Sequence, residues 1–178
     1  MEKIINSISL IGMPGAGKTS IGKELAKVAN LPFFDADIEI EKSAGRSIPD
    51  IFKEFGEDHF RDGETKVIAR LLDDKKCVLS TGGGAYTNAK TKKVIDGASV
   101  SVFIDVDIDT LWQRVKGKNT RPLFNVENPK QALEDIYKQR YSIYKKADIV
   151  IKYDNSCSSK KIAKVILTEI KQYEKKKK

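Results

Sequence analysis

The sequence lacks several features that mark specialised classes of protein. No run of about 18 apolar residues is present, which indicates that no segment spans a membrane. The N-terminus shows no small-residue cleavage site, so we expect no signal peptide. There are only two cysteines, Cys77 and Cys157, and their spacing fits no metal site, so we expect reduced, packed thiols and a cytoplasmic protein. The only histidine, His59, lies at a predicted helix start, where we expect an exposed side chain without a role.

Acidic residues are outnumbered by basic ones, with 25 Asp and Glu against 33 Lys and Arg, a formal net charge of +8. Four lysines at 175–178 end the sequence, and we expect them to fray as a disordered basic tail. No basic patch with interleaved aromatic residues is present, so we expect no nucleic-acid partner. An anionic nucleotide together with an anionic substrate would explain the internal Arg and Lys residues equally well.

One stretch near the N-terminus carries a specific chemical signature. Residues 12–19 fit G-x-x-x-x-G-K-[ST], the phosphate-binding P-loop, between a predicted buried strand and a predicted helix. Glycines let backbone N–H groups point at phosphate oxygens, Lys18 can reach the β- and γ-phosphates, and Thr19 can ligate Mg²⁺. A glycine-rich turn that fits by accident is the alternative. The residues expected to hold ATP here are Gly12, Met13, Pro14, Gly15, Ala16, Gly17, Lys18, Thr19 and Ser20.

Strand and helix patterns alternate along the chain, which predicts an α/β fold with a parallel sheet covered by helices on both faces. The predicted strands are 4–11, 31–34, 77–80, 100–104 and 149–151. The predicted helices are 18–29, 38–44, 48–55, 58–72, 88–95, 107–116, 129–147 and 158–173. We expect one kinase-sized domain over residues 1–174, with a lid at about 117–128, where the chain is polar and long for a plain connection. No heptad pattern or exposed apolar stripe is evident, so we expect a monomer.

Ligands bind beyond the carboxyl ends of parallel strands, so the residues after each strand are the candidate site. Asp35 and Asp37 follow the second predicted strand, and if strand geometry continues, both carboxylates point to one side. One can hold Mg²⁺ through water and the other can accept a proton from an attacking hydroxyl. A helix N-cap plus a solvated acid is the alternative. Gly82, Gly83 and Gly84 follow the third strand as a wall for a small polar ligand, or as a flexible turn.

Arginines supply the remaining candidate ligands. Arg61 and Glu64 are neighbours at i, i+3 on a helix, where Glu64 can orient the guanidinium or simply form a surface ion pair. Arg140 lies on the apolar stripe of its helix, so it needs either a carboxylate ligand or an internal acid. Arg121, in the predicted lid, can close on developing phosphoryl charge or stay solvated.

The order and spacing of these motifs resemble those of shikimate kinases over nearly the whole chain. The matching elements are the P-loop, the Asp-x-Asp at 35–37, Gly45-Arg46-Ser47-Ile48 with Ile51-Phe52, Phe60-Arg61-x-x-Glu64, Ser80-Thr81-Gly82-Gly83-Gly84, Arg121-Pro122-Leu123, and Arg140 with Tyr141 and Tyr144. The resemblance implies a nucleoside-monophosphate-kinase-like, three-layer α/β/α fold with a five-stranded parallel sheet in the order 2-3-1-4-5. It also implies ATP-dependent phosphorylation of the 3-hydroxyl of shikimate, a step in making chorismate and the aromatic amino acids.

The resemblance assigns roles to residues on both sides of the reaction. On the acceptor side, Asp37 would bind the shikimate hydroxyls and act as base, and Arg61 and Arg140 would clamp the carboxylate beside the backbone of 82–84. On the donor side, the residues and their implied roles are Lys18 and Arg121 for phosphoryl charge, Thr19 and Asp35 for Mg²⁺, and Arg114 and Asn155 near adenine. Tyr86 stands where the family usually has a small aliphatic residue, and we expect it to alter the pocket wall.

Two rival functions stay open from the residues. One is another small-molecule P-loop kinase, acting on gluconate or a nucleoside monophosphate. The other is a non-catalytic nucleotide-binding regulatory module, which would retain Lys18 but has no need of Asp37 or Arg121.

Overall fold

The computed structural model describes residues 4, 6–116, 126–154 and 157–177. Their strands are β1 Ser7–Ile11, β2 Phe33–Asp35, β3 Val78–Ser80, β4 Ser99–Asp105 and β5 Ile149–Lys152. Their α-helices are α1 Lys18–Ala29, α2 Ala36–Ala44, α3 Ile48–Asp74, α4 Ala89–Ala98, α5 Ile108–Val115, α6 Pro129–Tyr144 and α7 Ser159–Lys176. A short 3₁₀-helix, Ala85–Thr87, lies between β3 and α4.

All five strands are parallel and lie in the order β2-β3-β1-β4-β5, which confirms the predicted topology. Every residue of β1 and β3 is buried, as expected for strands covered by helices on both faces. Helix α1 packs against α7, and α3 packs against α4. The strand order places the carboxyl ends of β2, β3 and β1 side by side, so the segments that follow these three strands share one edge of the sheet.

The second strand and the helix after it differ from the prediction by two residues. Pro32 has no N–H to donate, and its carbonyl accepts a bond from Val78 N at 2.9 Å, so strand pairing begins with Phe33 opposite Val78. The strand then ends at once, because the Asp35 side chain caps α2 by accepting a bond from Asp37 N at 3.1 Å. Strand geometry therefore does not continue through Asp37, which is the second residue of a helix.

Helix α3 consists of two helical segments joined at Gly56. Ser47 caps the first segment, with Pro49 in its first turn, as the sequence predicts. Gly56 has φ +80° and ψ 177°, a conformation that is essentially restricted to glycine. The second segment runs on to Asp74 and presents Phe60, Glu64 and Ile68 to the interior.

The C-terminal helix extends further than predicted. Helix α7 continues to Lys176, two residues into the segment expected to fray, and Lys177 Nζ lies 3.8 Å from Asp148 Oδ1. Lysines at the last turn of a helix interact favourably with the helix dipole, which accounts for the extension. Most of the predicted lid, residues 117–125, lies outside the described residues. None of the helices in the described part of the chain is both long and apolar enough to cross a membrane.

Candidate active site

The loop between β1 and α1 has the geometry of a phosphate cradle. Gly12 has φ +141°, and a Cβ there would lie 2.9 Å from the carbonyl oxygen of Ile104, so only glycine fits. Helix α1 begins at Lys18 and directs its N-terminal N–H groups toward the loop. Lys18 is 8% exposed, and its Nζ donates to the carbonyl oxygens of Gly12, at 2.9 Å, and Met13, at 3.0 Å. The ammonium group is therefore held inside the loop.

Arg114 and Tyr153 brace the outer side of the P-loop. The Tyr153 hydroxyl donates to the Ala16 carbonyl at 2.7 Å, and Arg114 Nη1 donates to the Gly15 carbonyl at 3.2 Å and to the Tyr153 hydroxyl at 3.0 Å. From the sequence we assigned no role to Tyr153. Its position directly after β5 could have marked it as a candidate site residue, because the ligand-binding residues of parallel sheets follow the strands.

Thr19, Asp35 and Ser80 form a cluster of oxygen atoms beside Lys18. The Thr19 hydroxyl donates to Asp35 Oδ2 at 2.8 Å and lies 3.5 Å from Ser80 Oγ. Hydroxyl and carboxylate oxygens are the donor types that Mg²⁺ prefers. No group of three or more His, Cys, Asp or Glu side chains in the described residues is arranged to hold a metal. The oxygen cluster fits a magnesium ion that takes most of its ligands from phosphate and water, as is usual for this ion.

The three glycines after β3 are enclosed by side chains on several sides. A Cβ on Gly82 would lie 2.8 Å from Asp37 Oδ1, and one on Gly84 would lie 2.6 Å from Arg61 Nη2. A Cβ on Gly83 would lie 2.9 Å from Pro14 Cδ in the P-loop. These contacts contradict the alternative of a merely flexible turn, since the segment is a packed wall that touches groups from three other elements.

Arg61 is fixed by two carboxylates. Its Nη1 donates to Glu64 Oε2 at 2.7 Å, and its Nε and Nη2 donate to the exposed Glu57 Oε1. The Glu64 side chain is 1% exposed, so the pair with Arg61 is not the surface ion pair that the sequence left open as an alternative. Burial raises the pKa of the Glu64 carboxyl above its ordinary value, although the charge of Arg61 acts in the opposite direction. Glu64 Oε1 has no hydrogen-bond partner among the described residues.

Arg140 reaches the same wall from helix α6. Its Nη1 donates to the Gly83 carbonyl at 2.9 Å, and the buried Tyr144 hydroxyl donates to the same oxygen. We expected Tyr86 to alter the pocket wall, but Tyr86 does not line the cleft. Its side chain is 1% exposed and its hydroxyl donates to Asp96 Oδ1 at 2.6 Å, so it is packed against α4.

A cleft of about 460 Å³ opens at this edge of the sheet. It is lined by the P-loop and by both aspartates, and on the far side by Gly82 and Gly83. Arg114, Tyr153 and Cys157 complete one end. Asp37, Gly82 and Gly83 of the predicted acceptor site therefore adjoin the donor site, whereas Arg61, Gly84 and Arg140 do not line this cleft. Arg121 and Asn155 lie outside the described residues.

Comparisons with known proteins agree with this geometry. Residues 14–171 match the shikimate kinase family. The chain is 44% identical to the shikimate kinase of Ruegeria pomeroyi over 152 residues, which is 85% of this chain and 78% of that protein. It is 48% identical to the shikimate kinase of Caulobacter vibrioides over 143 residues, 80% of this chain and 72% of that protein.

Solved structures give the same assignment. Shikimate kinase from Acinetobacter baumannii in complex with shikimate superposes with a TM-score of 0.90 at 37% identity, over 96% of this chain and 95% of that chain. A gluconokinase from Sinorhizobium meliloti, at 15% identity and a TM-score of 0.54 over 96% of this chain and 94% of that one, shares the fold alone. The chain belongs to the shikimate kinase family.

Proposed function

We propose that this chain transfers the γ-phosphoryl group of ATP to the 3-hydroxyl of shikimate in the cleft described above, giving shikimate 3-phosphate and ADP. This reaction is a step in making chorismate and the aromatic amino acids. The observation that supports the assignment best is the glycine wall at 82–84. It touches the P-loop at Pro14 and the acceptor-side groups Asp37 and Arg61 through three consecutive residues.

On the acceptor side, two guanidinium groups would bind the shikimate carboxylate. Arg61 is already oriented by Glu64, while Arg140 would exchange its bond to the Gly83 carbonyl for a bond to the substrate. A guanidinium matches a carboxylate with two parallel donors, which fixes the ring as well as binding it. Asp37 would then accept hydrogen bonds from the ring hydroxyls, and the backbone of 82–84 would line one face. The shikimate complex of the Acinetobacter baumannii relative supports an acceptor of this chemistry.

On the donor side, the P-loop residues 12–20 would hold the phosphates, with Arg114 and Asn155 near the adenine. The oxygen of the 3-hydroxyl would attack the γ-phosphorus while the bond from the γ-phosphorus to the β–γ bridging oxygen breaks. Asp37 would take the hydroxyl proton, and Lys18 and Arg121 would stabilise the charge on the transferring group. Little covalent chemistry is needed beyond this, because phosphoryl transfer depends mainly on positioning and charge neutralisation.

Thr19 and Asp35 would hold Mg²⁺, Thr19 directly and Asp35 through water. Their oxygens already lie 2.8 Å apart beside the phosphate cradle, so the donor set fits. When bound, the ion supplies positive charge to the phosphate oxygens.

We further propose that the protein acts as a cytoplasmic monomer, with residues 1–174 as one kinase domain, a lid at about 117–128, and no nucleic-acid or membrane partner.

The assignment is tested with purified protein, ATP and Mg²⁺ in the presence of shikimate, gluconate or a nucleoside monophosphate. We expect ADP to form only with shikimate. ADP formed with another acceptor, or none with shikimate, would refute the proposal. ATP binding without any turnover would favour a regulatory module instead. Activities that are left unchanged by Asp37→Asn would favour the same conclusion.

Arg140→Ala tests the acceptor half of the site. We expect the KM for shikimate to rise on the order of 10- to 100-fold, since a charged hydrogen bond to the substrate is lost, while the KM for ATP changes little. Lys138→Ala, an exposed residue on the same helix, is the matched control and should leave both values unchanged. Equal effects of Arg140→Ala on both KM values would contradict the assigned role.

A further inference from the structure

A second hollow lies on the acceptor side of the molecule, between helix α2 and the two segments of α3. Its volume is about 300 Å³, at the lower end of the range for ligand pockets. None of its lining residues also lines the cleft that holds the P-loop. The hollow is therefore a separate concavity, and the proposed reaction makes no use of it.

The inner walls of the hollow are apolar. Ile40, Ile51 and Phe60 form a small buried cluster that is distinct from the main core, and Val67 packs against it. At the mouth, Phe55 leaves 45% of its surface exposed. A dry cavity of about 150 Å³ is large enough to hold benzene in another protein, so this hollow has room for one aromatic ring and a short substituent.

The rim of the hollow is basic. The Arg46 guanidinium lies 5.2 Å from the centre of the Phe55 ring, and the His59 ring stacks on Phe55 with ring centres 4.8 Å apart. None of the described residues that line the hollow is acidic. Arg46 pairs with Glu54, whose side chain is 58% exposed, and a surface pair of this kind is worth at most about 1 kcal/mol. A ligand carboxylate can replace Glu54 at little cost.

We propose that this hollow binds a small aromatic carboxylate, with its ring between Phe55 and Phe60 and its carboxylate on Arg46. The apolar walls provide the favourable burial of the ring, and the basic rim selects an anion over a neutral or cationic compound of the same shape.

The hollow is mechanically connected to the substrate clamp. The ring of Phe60 forms part of the hollow, and the guanidinium of the next residue, Arg61, lies 5.1 Å from the centre of that ring. We therefore expect a ligand that shifts Phe60 to disturb the packing of the Arg61 guanidinium. If Arg61 binds shikimate as proposed above, occupation of the hollow changes the KM for shikimate and leaves the KM for ATP unchanged, and shikimate in turn changes the affinity for the ligand.

The binding test uses 3-phenylpropanoate as the probe and 3-phenylpropanamide as its neutral analogue, titrated into the full-length protein and followed by NMR chemical shifts. We expect the carboxylate to perturb residues of α2 and α3 and to bind at least about tenfold more tightly than the amide, since only the carboxylate carries a negative charge and can accept two parallel bonds from Arg46. Equal affinity of the two compounds would overturn the proposal.

Gly63 offers a way to fill the hollow. It lines the hollow, and a Cβ added there would meet no atom within 4 Å. Gly63→Leu should therefore abolish binding of the probe while the protein stays folded, and Gly63→Ala, which adds a single methyl group, should retain it. Binding that persists in Gly63→Leu would place the probe elsewhere and overturn the proposal.

The charge of the rim is tested separately, so that the outcome does not depend on one variant. Arg46→Gln should weaken binding of 3-phenylpropanoate at least about tenfold, and Glu54→Gln should leave it unchanged or tighten it, because the competing carboxylate is removed. Equal weakening in both variants would overturn the role of Arg46. Chemical-shift changes confined to Asp37 and the glycines at 82–84 would place the probe in the substrate cleft, which also overturns the proposal. These readouts need no turnover, so they stand or fall independently of the proposed reaction.

Discussion

Gly83 is the residue at which the two halves of the site meet. Its carbonyl oxygen accepts bonds from Arg140 and from Tyr144. On its other side, a Cβ would lie 2.9 Å from Pro14 Cδ in the P-loop. One backbone position therefore contacts both the phosphate-binding loop and the helix that carries an acceptor-side arginine. There is no volume for a side chain between them.

The neighbouring Gly84 allows a sharp test of this packing. A Cβ there would lie 2.6 Å from Arg61 Nη2, the far end of a flexible side chain. In Gly84→Ala we therefore expect Arg61 to move rather than the protein to unfold. The KM for shikimate should rise at least about tenfold, as for loss of a charged hydrogen bond, with little change in Tm. Steady-state kinetics and thermal melts measure the two effects.

Gly97→Ala is the control for that variant. Gly97 lies in α4, and a Cβ there would meet no atom within 4 Å, so the KM for shikimate should be unchanged. An unchanged KM in Gly84→Ala as well would show that Arg61 does not bind the substrate in its present position.

Glu64 predicts a pH dependence of stability. Burial raises its pKa above the ordinary value of 4.5, so as the pH rises the unfolded chain releases this proton before the folded protein does. The contribution of Glu64 to the free energy of unfolding therefore falls from about pH 4.5 up to the raised pKa and is constant above it. Glu64→Gln removes this contribution, so its Tm relative to the wild type should increase across that window.

Thermal melts of both proteins from pH 4 to pH 8 measure the difference. Glu57→Gln, which changes the exposed partner of Arg61, should show no such trend. A difference between Glu64→Gln and the wild type that is independent of pH would contradict the raised pKa.

At the scale of secondary structure elements, helix α3 is the one that shapes the acceptor side. The break at Gly56 lets its first segment pack with α2 while its second segment carries Arg61 and Glu64 to the glycine wall. The residue pattern predicts two helices here, one ending at 55 and the next starting at 58, which agrees with the break. Local signals were sufficient for this, because Ser47 caps the first segment and Gly56 interrupts the helix.

Two glycines of this helix should respond oppositely to alanine. Gly56 has φ +80°, so Gly56→Ala should lower the free energy of unfolding by about 1–3 kcal/mol. Gly63 is helical, and a Cβ added there would meet no atom within 4 Å, so Gly63→Ala should raise it by roughly 0.5–1 kcal/mol. Urea denaturation measures both, and stabilisation by Gly56→Ala would contradict the kinked geometry.

At the scale of the whole molecule, the parallel sheet assembles the site from segments that are distant in the chain. The order β2-β3-β1 places the Asp35 segment, the glycine wall and the P-loop next to one another. If the protein is a monomer, as proposed, this assembly needs no second copy, and Tm should not depend on protein concentration. Melts at two concentrations a hundredfold apart, together with light scattering, test this. A Tm that rises with concentration would indicate an oligomer.

Much of the fold was predictable because it depends on neighbours in the chain. The alternation of strands and helices, the capped start of α3 and the P-loop agree with the structure for this reason. The segment at 35–37 shows the limit of such reasoning. The sequence left two possibilities open, a continuing strand with both aspartates on one side or a helix N-cap, and the structure has Asp35 as the N-cap and Asp37 in the helix. They reach the cleft by different routes, since Asp35 binds Thr19 and Asp37 lies against Gly82.

The sequence by itself determined the local conformations, the class of fold and the phosphate cradle, since these follow from side-chain spacing, capping and glycine backbone freedom. Only the tertiary structure decided which distant groups meet. Arg140 binds Gly83 across 57 residues of chain, and Tyr153 binds Ala16 across 137. It also decided that Glu64 is buried and that α2 and α3 enclose a second hollow. Such contacts depend on the order of the strands and on how helices pack over them, and no short stretch of sequence encodes either.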